Sequence, residues 1–150
     1  MMKSFFSPFI LLVAVSAHAI AVPLMLVTES EVIASSNNPA NFSPKLVPVK
    51  DAPIIELVVP NLTGPINSPT MIELKFIPKA PATIKSESFK AYYGTFQIDI
   101  TGRLLGVAKV DPQGINVKEA ALPKGEHKLM LNVEDSEGRV GIKTITFEIK

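Results

Sequence analysis

Alternation of apolar and polar side chains governs the second half of the chain. Between Met71 and Ile77, Ile72, Leu74 and Phe76 fall on one side, Glu73 and Lys75 on the other. Leu129, Leu131 and Val133 alternate in the same way with Lys128, Met130, Asn132 and Glu134, and Phe96, Ile98 and Ile100 with Gln97, Asp99 and Thr101. Successive side chains of an extended strand point to opposite faces, so a period of two predicts half-buried strands. The dense apolar run Ile54–Val59, stopped by Pro60, predicts one more. Sheets that are apolar on one side can hide that side against each other. Turn formers recur between the runs, at Asn61–Pro65, Asn67–Pro69, Gly94, Asp111–Gly114, Pro123–Gly125 and Glu137–Gly138. Their spacing predicts an all-β fold, a single antiparallel β-sandwich of about seven strands over residues 53–150. Beyond residue 19 no window joins a 3.6-residue period to capping residues; Lys118–Leu122 comes nearest and is too short to hold a helix alone.

The final strand breaks the pattern. Val140 and Ile142 occupy even positions, whereas Ile145, Phe147 and Ile149 occupy odd ones. Holding all five on the core face requires one extra residue, so a β-bulge is expected near Lys143–Thr144.

The first nineteen residues have the make-up of a signal peptide: Lys3 as the charged start, Phe9–Val15 as the apolar stretch, and Ala17-His18-Ala19 as the small-x-small site, with cleavage expected after Ala19. An uncleaved anchor is the competing reading, because apolar character resumes from Ile20 to Val27. Ser7, Pro8, Ser16, His18 and Pro23 interrupt that stretch, and no basic cluster follows to fix its orientation. Residues 20–52 read as a disordered or extended linker, on the turn-forming run Ser35–Pro44 and the helix-breaking Pro44, Pro48 and Pro53. Asn41-Phe42-Ser43 and Asn61-Leu62-Thr63 match the glycosylation sequon, a short pattern that is read here as a chance match.

Charge and composition narrow the partners. The 150 residues carry 15 Lys and Arg against 14 Asp and Glu, and loss of Lys3 with the leader leaves 14 of each. Nucleic acid, or an anionic membrane surface, needs a concentrated excess of basic residues, and the lysines here are scattered. With no cysteine, thiol catalysis and cysteine-based zinc sites are excluded. Tryptophan is absent too, leaving Tyr92 and Tyr93 as the aromatics for sugar stacking.

The segment Leu122-Pro123-Lys124-Gly125-Glu126-His127, the alternating Lys128–Glu134, the turn Asp135–Gly138 and the closing run Val140–Lys150 together resemble the last hairpin of bacterial immunoglobulin-like domains. Ser88–Gly94 and Gln97–Thr101 resemble the middle strands of the same family. The resemblance spans roughly residues 53–150 and implies an Ig-like sandwich of the fibronectin III or cadherin-like kind. It implies nothing specific about activity, since that architecture hosts many functions.

Candidate sites are few. His127 stands where related sandwiches place a tyrosine that ties a corner to nearby backbone, so a structural corner role is expected. Glu134, Asp135 and Glu137 crowd one hairpin end as calcium ligands would, yet they fall short of the six to eight oxygens calcium takes, and Asp135 reads better as a turn former. Asp99 and Thr101 are expected on a solvated strand face. Tyr92 and Tyr93 point to opposite sides of a strand, and the exposed one is the best single binding contact. No catalytic set, metal site or cofactor motif emerges. These observations lead to the expectation of a non-enzymatic module, periplasmic or secreted, for binding, adhesion or spacing at the cell envelope. Its partner would be an envelope protein or glycan, with no nucleic acid and no integral membrane segment after cleavage. An accessory or carbohydrate-binding module serving a separate envelope enzyme is the alternative, and a small hydrolase a third class.

Overall fold

The computed structural model describes residues 25–37 and 49–150. The expected leader, Met1–Ala19, and the sequon at Asn41 lie outside them. Among these residues eight strands form two four-stranded antiparallel sheets. The first contains β1 (Ile54–Val59), β2 (Thr70–Ile77), β5 (Ala108–Asp111) and β6 (Gly114–Ala120), in the order β1-β2-β6-β5. The second contains β3 (Ile84–Tyr93), β4 (Ile98–Asp99), β7 (Gly125–Asp135) and β8 (Val140–Ile149), in the order β4-β3-β7-β8. With β4 counted as an edge addition, this is the ABED-over-CFG order of an Ig-like sandwich. The core forms as the alternation requires. Ile72, Leu74, Phe76 and Val117 of one sheet meet Phe89, Tyr93, Leu131 and Val133 of the other, all buried. The Phe76 and Phe89 rings join across the layers, 5.9 Å between centroids.

Three expectations need correction. The linker expected over 20–52 does not hold for residues 25–37, which are folded onto the sandwich. Leu26 and Val27 are 1% and 0% exposed, and Leu26 N–H donates to the Ala121 carbonyl at 3.1 Å. Burying a side chain of that size stabilises by about 1.5–3 kcal/mol, enough to order a short segment that a turn-rich sequence leaves undecided. The helix α1 (Glu29–Ser36) follows directly, opened by a capping box in which Thr28 Oγ1 accepts from Glu31 N–H while Glu31 reaches back to Thr28 N–H. The signal for it is Thr28-Glu29-Ser30-Glu31, which has the threonine and glutamate spacing of that motif.

The strand expected over 96–101 shrinks to Ile98–Asp99. Gly94 and Gln97, with φ of +69° and +50°, turn the chain tightly, leaving Phe96 60% exposed. The chain then enters α2 (Thr101–Leu105), where the Thr101 hydroxyl accepts from Ala91 N–H at 2.9 Å and so replaces a ladder bond with a side chain. Lys118–Leu122, the nearest approach to a helical pattern, lies in β6 and just beyond it.

The bulge near Lys143–Thr144 is absent. β7 and β8 pair without a register shift from Gly125↔Ile149 to Glu134↔Val140. Val140 and Ile142 instead face outward, each more than a third exposed, because the inward position between them is Gly141. A Cβ there would meet the Pro53 carbonyl oxygen at 1.9 Å, so only glycine lets the approach to β1 cross β8 so closely. Register shifts occur elsewhere, between Leu57 and Val59, Thr70 and Ile72, and Lys85 and Lys90.

Candidate functional site

His127 opens β7 with its ring 1% exposed. Its Nε2 lies 2.8 Å from the Pro123 carbonyl oxygen, which can only accept, so Nε2 carries the proton and donates. Nδ1 is then an acceptor, and the Tyr93 hydroxyl donates to it at 3.0 Å. Phe147 stacks on the imidazole, centroids 5.3 Å apart. Burial holds the histidine below its usual pKa against the opposing pull of the Pro123 bond, and burial pushes the Tyr93 hydroxyl up to about 12. Both groups stay neutral, and both ring nitrogens are committed to the fold. This is the corner role expected for His127, supplemented by Tyr93, whose pairing with it the sequence did not reveal.

The N-terminal segment closes over this corner. The Arg103 guanidinium grips the Glu31 carboxylate with two bonds of 2.8 and 2.9 Å and also donates to the Leu26 carbonyl at 3.3 Å. That bidentate contact, set against partial burial, brings the Glu31 pKa down to about 2. Val32 packs against Gly125, and the Ser35 hydroxyl accepts from Thr95 N–H at 3.3 Å.

At the opposite end, the hairpin carboxylates are held by protein cations. Asp135 is wholly buried; Oδ1 accepts from the N–H groups of Glu137 and Arg139, both at 3.0 Å, and Oδ2 from Arg139 Nε at 2.7 Å. Burial alone would raise its pKa, but these bonds bring it below the usual carboxylate range. Glu137 pairs with Arg139 and Glu134 with Lys85. Among the described residues no three His, Cys, Asp or Glu side chains gather as metal ligands would. Asp99 accepts from Thr101 N–H at 2.9 Å, and Thr101 is buried, so the pair does not share a solvated face as expected. Tyr93 is the core member of its pair and Tyr92 the half-buried outward one, next to Met130 in the adjoining strand. Asn61 Oδ1, in the second sequon, accepts from Thr63 N–H in a local turn.

Two surface hollows bear on recognition. One, of about 510 Å³, lies over the outer face of the first sheet at Gly114, where Glu73, Lys75, Lys109 and Asp111 alternate in sign and offset one another. The other, of about 460 Å³, runs between the edges of the two sheets. Its walls are Leu57 and Val58 of β1, the loop Pro60–Leu62, and Lys143–Thr146 of β8. Two contacts fix the direction of the β8 backbone here. Ile66 N–H donates to the Glu148 carbonyl, and Lys150 N–H to the Ile66 carbonyl. Even-numbered residues of β8 therefore aim their N–H and C=O groups at this edge, while odd-numbered ones bond β7. Ile142, Thr144 and Thr146 thus present backbone groups to the hollow that no other backbone group among the described residues takes up. An unpaired row of this kind is a template for a further strand. The sequence did not reveal it, because which strands end up at an edge depends on pairing order.

No helix among the described residues is long and apolar enough to cross a membrane. No family model, curated protein or solved structure matches the chain.

Proposed function

We propose that the chain is an exported, non-enzymatic module of the bacterial Ig-like kind that binds a protein of the cell envelope through the open seam between β1 and β8. The observation that carries this reading is the row of backbone groups at Ile142, Thr144 and Thr146 that no backbone group among the described residues takes up, beside a hollow of about 460 Å³. Such volumes fall within the ~300–1,000 Å³ common for ligand sites. Support also comes from the polar groups best suited to chemistry. His127, Tyr93 and Asp135 are buried and bonded within the fold. The leader-like Met1–Ala19 supports delivery to the periplasm or the medium.

Fractionation of the producing cell tests the export part: the mature protein is expected outside the cytosol with Ile20 as its first residue. A photo-crosslinking amino acid at Leu62, on the seam wall, tests the binding part by trapping an envelope protein that the same group at Lys109 does not trap. A second reading, an accessory or carbohydrate-binding module beside a separate enzyme, draws support from Tyr92, the aromatic on the outer face of the second sheet. Glycan binding lost in Tyr92→Ala would favour it.

A further inference from the structure

We draw no further inference here: the strongest candidate, the hollow of about 460 Å³ between the edges of β1 and β8, belongs to the site already described, and nothing in the structure shows what covers it.

Discussion

The two flanks of the sandwich are built from the same material and finished in opposite ways. Each is a place where the edges of the two sheets come side by side. On the flank of β4 and β5, α2 lies against β3 and β5, buries Leu104, and sends Arg103 out to clamp Glu31 of the N-terminal segment. On the flank of β1 and β8 no helix intervenes among the described residues, and there Pro53 and Ile66 touch the ends of the β8 edge. An unpaired strand edge is a hazard unless it is covered or charged. One flank is covered; the other, lined by Glu56 and Lys143 among others, is left uncovered by the described residues. The difference teaches where recognition can happen: the covered flank has spent its polar groups on the fold, while the open one still offers them.

The sharpest way to break this contrast is to loosen the covered side. Leu26→Ala should cost about 2–5 kcal/mol in chemical denaturation, the range for emptying a buried leucine site. A cost near zero would mean that the N-terminal segment is not part of the core. His127→Ala should cost about 2–4 kcal/mol, since it removes a packed ring and leaves the Pro123 carbonyl and the Tyr93 hydroxyl without partners. On the open side, Gly141→Ala should cost about 1–3 kcal/mol by forcing Pro53 away from β8, and the urea midpoint would show it.

A pH effect sharpens the comparison further. The folded state holds His127 below its ordinary pKa of 6.5, so between the two values the unfolded chain binds the extra proton. Stability from this source is complete above that ordinary value and declines as pH falls from it toward the depressed one. Urea midpoints measured from pH 8 down to 5 should show the decline, and His127→Gln should remove it. The Glu31 clamp acts lower, between its ordinary 4.5 and about 2, so the two effects separate on the pH axis. Smallest of all, Ile142→Thr should change stability by no more than about 0.5 kcal/mol, because the side chain faces outward; a core role would cost several times that.

Much of the architecture was legible because period-two alternation and burial are the same fact seen twice. Ile72, Leu74 and Phe76 had to face inward together, as did Leu129, Leu131 and Val133, and a sheet with one apolar side needs another to cover it. The corner at His127 was legible by its place at the start of β7, and the turn at Asp135 by its residue types. Val140 and Ile142 misled for an instructive reason. Apolar residues also stand on outer faces, and the inward place belonged to a glycine whose missing side chain admits Pro53. The capping box at Thr28 was readable but stood inside a stretch coloured by prolines and asparagines. What only the tertiary structure decided is which strands became edges and what covered them. Edge status is a property of pairing order between segments far apart in the chain, and no local pattern carries it.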